Sequence, residues 1–304
     1  MIRRGLATAL LMTAHPTTSA LSTVAAPPKT KTVWSDVALK ARETMTVTNR
    51  ERLRKSGVLE IRRPVQIVAT PVDTTGKPLP PNTKVLHFQR HGQGYHNLLG
   101  DLYRELKMPI DMDSSDPQKN PFIRPGILDS PLTDTGRMQC ENMRSEVSST
   151  LNPELVVVSP LLRAIQTGYL SFADFRDQPW VAHEGCREEI GLLICNKRRP
   201  LAQIRQDYPD IDFSHITDEE DALWDVLSHR RETVKEKTDR IYDFLVNFIQ
   251  TRPEKDIAVV GHSSWLFFML NAVVTCETED LARWFMTSEV RSMQLTFLDG
   301  SQEK

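Results

Sequence analysis

Three short apolar runs, each followed closely by an arginine or a histidine, constrain this chain more than any other feature. They are KVLHF at 84–88, ELVVVS at 154–159 and DIAVVG at 256–261. Short runs without strict alternation are typical of strands that are buried on both faces of a parallel sheet. Helical spacing lies between them, and the alternating run SMQLTFL at 292–298 favours a closing strand. The sequence therefore predicts an α/β fold, a three-layer sandwich with helices on both faces of a mostly parallel central sheet.

The same runs predict a binding site at one edge of that sheet. Arg90 and His91 follow the first run, Arg163 follows the second, and His262 follows the third. Ligands bind at the carboxyl ends of the strands in open α/β sheets, so we expect these four side chains to converge. Helices that begin just after the strands, with Ser159 as the expected N-cap of one, add unpaired N–H groups. Together with the forked arginines they indicate a pocket for a phosphate group.

Composition narrows the class of protein. The 304 residues carry a formal net charge of −2, which argues against a nucleic-acid partner, so anion recognition is expected to be local. The four cysteines have no CxxC spacing, which favours free thiols over a zinc site or a disulfide framework. No apolar run approaches the roughly 20 residues that span a bilayer, so no membrane association is predicted.

A metal site is the main rival for the histidine-rich stretch KVLHFQRHGQGYHN. His87, His91 and His96 have the spacing of metal ligands, yet the stretch contains no Asp or Glu. An arginine beside a ligand histidine also opposes cation binding electrostatically. We therefore expect no metal and no cofactor. His87 is expected behind the site or in the core, and His96 on the surface at a helix start.

Three segments are predicted along the chain. Residues 1–35 contain Arg3 and Arg4 and no acidic residue, which is typical of a targeting leader and equally of a disordered tail. A transit peptide would direct the chain to a plastid or mitochondrion; otherwise the cytoplasm is expected. Residues 36–83 are interpreted as an N-terminal extension with a Pro/Thr-rich linker, and residues 84–304 as the catalytic domain. The sequence carries no signal for the oligomeric state.

Several segments together resemble one family. RHGQGYHN resembles the Arg-His-Gly-x4-Asn signature of the histidine phosphatase superfamily, also called the phosphoglycerate mutase-like family. PLTDTGRMQ, VVVSPLLRAIQT and VVGHSSWL resemble its other segments in order. The stretch CREEIGLLICNKRR is similar to one shared by plant, algal and fungal members. The resemblance runs from Lys84 to the C-terminus and implies the phosphoglycerate mutase-like fold.

The resemblance also implies roles for individual residues. His91 would be the nucleophile that carries the phosphoryl group, and Glu188 would be the general acid, with Glu189 in reserve. Four side chains would hold the phosphoryl oxygens: Arg90, Asn97, Arg163 and His262. A further basic set is expected to bind a second anionic group of the substrate: Lys197, Arg198, Arg199 and Arg231. Thr133 and Gly136 are expected to mark a helix start and a close backbone approach.

These roles predict a metal-independent phosphomonoesterase that acts on a small phosphorylated metabolite through a phosphohistidine. A phosphoglycerate mutase-type phosphotransferase is the first alternative. Known mutases carry an ERHYG-type segment after the acid, whereas this chain has EEIGLL without the aromatic residue, which disfavours a mutase. A non-catalytic phosphate-ligand binding protein is the second alternative, although no position of the implied catalytic set is missing.

Overall fold

A seven-stranded sheet organises residues 36–299, the part of the chain that the computed structural model describes. Residues 1–35, interpreted above as a targeting leader or a disordered tail, lie outside the described residues. The strands are β1 Val65–Thr70, β2 Thr83–Arg90, β3 Leu155–Val158, β4 Trp180–Ala182, β5 Asp256–Gly261, β6 Val274–Cys276 and β7 Val290–Asp299. The α-helices are α1 Asp36–Ser56, α2 Tyr95–Glu105, α3 Asp134–Thr150, α4 Leu162–Ser171, α5 Leu201–Asp207, α6 Ala222–Val226, α7 Val234–Asp243 and α8 Ser263–Phe268. Two π-helical stretches, Phe244–Ile249 and Met269–Val273, continue α7 and α8.

The strands predicted from the three apolar runs lie side by side. The sheet order is β4-β3-β5-β2-β7-β1-β6, and β5 pairs in parallel with both β3 and β2. β7, the predicted closing strand, pairs antiparallel with β2 and with β1. The predicted α/β fold with a mostly parallel sheet is therefore confirmed.

Apolar side chains cover both faces of this sheet. Along β5, Ile257 and Val259 belong to one buried cluster, whereas Ala258 and Val260 belong to another. Successive side chains of a strand point to opposite faces, so the two clusters lie on opposite sides of the sheet. α7 and α8 pack into the first cluster, and α3 and α4 pack into the second. Each fully buried Val or Ile contributes about 1.5–3 kcal/mol, which holds the three layers together.

The N-terminal segment belongs to the same sheet. β1 pairs with β7 over six residues and with β6 over three, and Leu53 of α1 is buried in the first apolar cluster. The boundary predicted at Lys84 therefore falls inside the folded unit. The Pro- and Thr-rich stretch joins β1 to β2, which pair with opposite edges of β7. Because β7 is far away in the sequence, the composition of the stretch does not reveal that both strands belong to one sheet. No helix among residues 36–299 is both long and apolar enough to cross a membrane.

Candidate active site

The carboxyl ends of β2, β3 and β5 bring the predicted site residues to one edge of the sheet. Arg90 at the end of β2 is in register with Gly261 at the end of β5. The next residue, His91, donates its backbone N–H to the Gly261 carbonyl at 3.0 Å. The His91 and His262 ring centroids are 5.1 Å apart. The expected meeting of the two histidines is therefore present in the structure.

The His91 ring is held in one tautomer. Its Nδ1 lies 2.6 Å from the Gly92 carbonyl oxygen, and the residue is 1% exposed. A carbonyl oxygen only accepts hydrogen bonds, so Nδ1 carries the proton and the Nε2 lone pair remains free. Burial, and then the positive charges of Arg163 and Arg90, lower the pKa of His91 well below its ordinary value. The neutral ring is the nucleophilic form.

Arg163 is buried in the first turn of α4 and fixed from the neighbouring loop. Its Nη1 donates to the Cys195 carbonyl at 2.7 Å, and its Nη2 donates to Asn196 Oδ1 at 2.8 Å. Burial lowers its pKa. These two bonds orient the guanidinium but use only part of its donor capacity, because an arginine carries five N–H groups.

Ser159, which was expected to be the N-cap of α4, contacts both the start of that helix and His262: its Oγ accepts the Leu161 N–H at 3.4 Å. The N-cap of α4 is Leu161, and the Leu162 N–H is accepted by Asp129 Oδ1 at 2.8 Å. Ser159 Oγ lies 2.8 Å from Nε2 of the fully buried His262. The hydroxyl therefore fixes this ring at the carboxyl end of β5.

Several buried nitrogen atoms at this edge of the sheet have no hydrogen-bond partner among the described residues, and three of them belong to side chains that were expected to hold phosphoryl oxygens. These three are Nε of Arg90, Nε of Arg163 and Nδ1 of His262. Arg90 is anchored only through Nη1, which donates to the Phe285 carbonyl at 2.8 Å, and burial lowers its pKa to about 10. Buried unpaired polar atoms are rare and costly. An anion with several oxygens would satisfy all three, since arginine N–H groups only donate and the imidazole can also donate.

α2 contributes two side chains from its first turn. Asn97 Oδ1 accepts the Gly94 N–H at 3.0 Å, which closes a capping box and leaves the amide NH2 group to donate elsewhere. His96, expected on the surface, instead lies with its ring centroid 5.3 Å from that of His91. Burial, and then Arg163, lower its pKa well below the ordinary value. The sequence did contain one indication that His96 lies near the site, because it directly precedes Asn97 in the first turn of α2.

Glu188 is held by backbone N–H groups, whereas the neighbouring Glu189 is held by three positively charged side chains. Glu188 Oε1 accepts the N–H groups of Glu189 and Trp265, at 3.0 and 3.2 Å, and Oε2 accepts that of Ser264 at 3.1 Å. Oε2 therefore keeps a lone pair that can carry a proton. Glu189 is buried among Lys237, Arg231 and Arg52, which hold its pKa far below the usual range despite the raising effect of burial. A carboxyl held in its ionised form is no proton donor, so Glu188 suits the acid role better than Glu189 does.

The basic residues that were expected to bind a second anionic group all have acidic partners. Arg198 is 2% exposed, pairs with Glu184 at 2.9 Å and donates to four backbone carbonyls. The other three pairs are Lys197 with Asp225 at 2.7 Å, Arg199 with Asp129 at 3.2 Å, and Arg231 with Glu189. All the N–H groups of Arg198 are donated inside the protein, so this arrangement gives no support to the predicted substrate contact. Lys197, Arg199 and Arg231 also serve to hold loops together.

The loop after His91 depends on a close approach of two backbones. Thr133 Oγ1 accepts the Gly136 N–H at 3.0 Å as the N-cap of α3, and a Cβ atom on Gly136 would lie 2.1 Å from the Gln93 carbonyl oxygen. The two expectations for these residues, a helix start and a close approach, are confirmed. No larger residue fits at position 136 without moving Gln93, two residues from His91.

His87, the remaining histidine of KVLHFQRHGQGYHN, is held by two side chains inside the fold. His87 Nε2 is 2.8 Å from Asp256 Oδ1, and its Nδ1 is 2.7 Å from Ser292 Oγ.

The part of the chain from 36 to 299 contains no group of three or more His, Cys, Asp or Glu side chains that could hold a metal ion. The four cysteines are free thiols. The site thus consists of a neutral imidazole with a free lone pair, buried cationic donors and one positioned carboxyl.

The chain is similar in sequence to one protein family and to several known proteins. Residues 122–303 match the model of the histidine phosphatase superfamily (branch 1), a range that includes Arg163, Glu188 and His262 and begins after His91. Phosphoglycerate mutase-like protein 1 of Arabidopsis thaliana is 32% identical over 69% of this chain and 80% of its own length. A second Arabidopsis phosphoglycerate mutase-like protein is 31% identical over 69% of this chain and 83% of its own. A mycobacterial glucosyl-3-phosphoglycerate phosphatase structure covers 70% of this chain and 90% of its own, at 18% identity and a TM-score of 0.41.

Proposed function

Because this chain belongs to the histidine phosphatase superfamily, we propose that it is a metal-independent phosphomonoesterase that forms a phosphohistidine at His91. The observation that carries the proposal is the state of His91. Its Nδ1–H is tied to the Gly92 carbonyl, and its free Nε2 lies in a cluster where Arg90, Arg163 and His262 keep unpaired buried nitrogen atoms. A phosphoryl group brings both an electrophilic phosphorus and the oxygens that these donors need.

In the first step, the Nε2 lone pair of His91 forms a bond to phosphorus while the bond from phosphorus to the ester oxygen breaks. The leaving oxygen takes a proton from Glu188, so the product is a neutral alcohol. Arg90, Arg163 and His262 hold the phosphoryl oxygens, with Asn97 as a neutral donor. Donors that are already fixed in a buried site stabilise the transition state without reorganisation.

In the second step, a water molecule attacks the phosphorus and the bond to Nε2 breaks. Glu188, now ionised, takes a proton from the water, and inorganic phosphate leaves. The three N–H groups that fix the carboxyl keep it in place in both protonation states. His91 and Glu188 end each cycle in their starting forms, so no metal or redox group is required by the balance of the reaction.

The ion pairs made by the four basic residues favour a phosphatase over a mutase. A phosphoglycerate mutase must bind a carboxylate beside the phosphoryl group. The four cations expected for that purpose, Lys197, Arg198, Arg199 and Arg231, are all paired with carboxylates. A substrate whose only anionic group is one phosphomonoester needs no cation beyond those that hold the phosphoryl oxygens.

The direct test is hydrolysis of an aryl phosphate by the purified full chain in the presence of a chelator. We expect turnover to persist and a radiolabelled, acid-labile phosphoenzyme to accumulate on rapid quenching. His91→Ala should abolish both, while His229→Ala serves as a matched control because His229 is exposed. Loss of activity with the chelator, restored by a divalent metal, would contradict metal independence, and a phosphoenzyme in His91→Ala would remove that residue from its role.

A second assay addresses the alternatives. Interconversion of 3- and 2-phosphoglycerate after priming with a bisphosphoglycerate, with little hydrolysis, would establish the mutase instead. Phosphate binding without either reaction would support a phosphate-ligand binding protein. A panel of phosphorylated metabolites then ranks the substrates of the phosphatase by kcat/KM.

A further inference from the structure

A cluster of ion pairs around one buried carboxylate lies directly beside the residue proposed as the acid. Its centre is Glu189, whose side chain is 5% exposed, and its three cations come from different parts of the fold. Lys237 of α7 and Arg231 of the preceding loop contact the two carboxylate oxygens. Arg52 of α1, whose side chain is 35% exposed, adds its Nη2 at 3.2 Å from Oε2. We call these four residues the Glu189 cluster.

The Glu189 cluster is linked to both sides of the Glu188 carboxyl. Lys237 Nζ, besides contacting Glu189, donates to Ser264 Oγ at 2.9 Å. The backbone N–H groups of Glu189 and Ser264 in turn donate to Glu188. Ser264 also follows His262 by only two residues. The cluster therefore ties the loop that carries the acid to the segment that carries a phosphate-binding histidine.

Arg52 closes this arrangement from outside the family-matched segment. Its guanidinium also donates to Asn49 Oδ1 at 3.2 Å. The same guanidinium lies 5.5 Å from the centroid of the ring of Phe268, which belongs to α8 together with Ser264. Lys237 Nζ lies 4.5 Å from the same ring. Two cations thus hold one aromatic ring and one carboxylate in a fixed relation. Buried ion pairs are poor sources of net stability, because desolvation offsets attraction, so their defined geometry is the property to explain.

We propose that Arg52 is a positioning residue for the general acid. It holds Glu189, and through it Glu188, at the distance from His91 where a proton reaches the leaving oxygen. The proposal rests on the proposed function, because it assigns Arg52 to the acid step of that reaction. α1 is then part of the catalytic unit.

The test uses the dependence of the acid step on the leaving group. An aryl phosphate releases a stable phenolate and needs little help from an acid, whereas an alkyl phosphate releases a poor leaving group and depends on proton donation. We expect Arg52→Met to lower kcat/KM for an alkyl phosphate by about tenfold and for an aryl phosphate by less than about twofold, with Arg52→Lys restoring the alkyl rate. Met retains apolar contact with Phe268, and Lys237 and Arg231 still neutralise Glu189, so the variant should fold.

Two variants make the outcome decisive. Arg54→Met removes a neighbouring arginine whose side chain is 71% exposed and pairs with Glu51, and it should leave both rates unchanged. Glu188→Gln should show the full difference between alkyl and aryl substrates. Equal losses on both substrates, or no loss, in Arg52→Met would overturn the role of Arg52 while leaving the phosphatase intact. No leaving-group dependence in Glu188→Gln would remove the acid itself, which is a failure of the proposed function.

Discussion

Replacing Arg163 by lysine separates the effect of charge from that of geometry at the proposed phosphate-binding edge. Arg163 is fully buried and spends two N–H groups on the Cys195 carbonyl and Asn196 Oδ1. Three of its five N–H groups therefore remain for a ligand, including the unpaired Nε–H. A lysine keeps the positive charge but has one nitrogen, which must choose between the loop and the phosphoryl group.

The size of the effect follows from the loss of one preorganised donor. Removal of such a donor from a buried transition-state site costs about 3–4 kcal/mol, so kcat/KM should fall about 100- to 1000-fold. Because donors fixed around the phosphoryl group fit the flattened geometry of the transition state better than the bound ester, the loss should appear mainly in kcat. A change confined to KM would indicate that Arg163 only helps to bind the substrate.

The assay combines steady-state hydrolysis of an aryl phosphate with rapid-quench measurement of phosphohistidine formation. Arg144→Lys is the matched control, because Arg144 pairs with Asp174 at the surface and its side chain is 49% exposed. Circular dichroism and the thermal midpoint show whether each variant is folded. A folded Arg163→Lys enzyme with a loss of less than about threefold would refute a transition-state role for the arginine fork.

Three further changes probe the rest of the site. Gly136→Ala should lower both the thermal midpoint and the phosphorylation rate, because its Cβ would collide with the Gln93 carbonyl at 2.1 Å; unchanged kinetics would show that the loop after His91 relaxes freely. His96→Asn should slow phosphoenzyme formation about tenfold or more if the ring donates to the bound phosphoryl group; a wild-type rate would leave it a packing role. His183 accepts the Gly185 N–H on Nδ1 at 2.9 Å, and burial lowers its pKa from 6.5 to about 4. As pH falls, the unfolded chain takes up a proton before the folded one does, so the free energy of unfolding decreases between these two pH values. His183→Asn, whose Oδ1 can accept the Gly185 N–H, should therefore lose up to about 2 kcal/mol less than the wild type between pH 7.5 and 5 in urea unfolding; equal losses would contradict the depressed pKa.

Local sequence determined the part of this protein that depends on short-range physics. Apolar runs of strand length predict β2, β3 and β5 because burial on both faces of a sheet requires continuous apolar residues. Their endings in Arg90, His91 and His262 predict one shared edge, because parallel strands present their carboxyl ends together. The close approach at Gly136 could be read from the chain for a similar reason, since small residues occur where backbones meet.

Tertiary structure decided which charged and titratable groups are free to act. Arg198 looks like a substrate ligand in sequence, but distant acidic and carbonyl groups consume its donors. His96 looks like a surface residue, yet folding brings its ring beside His91. Arg52 looks like one charge on a polar helix, and only packing places it on Glu189. Hydrophobic patterns record the local environment of each residue, whereas the partner of a charge is chosen by segments far apart in the chain, so only the folded structure identifies it.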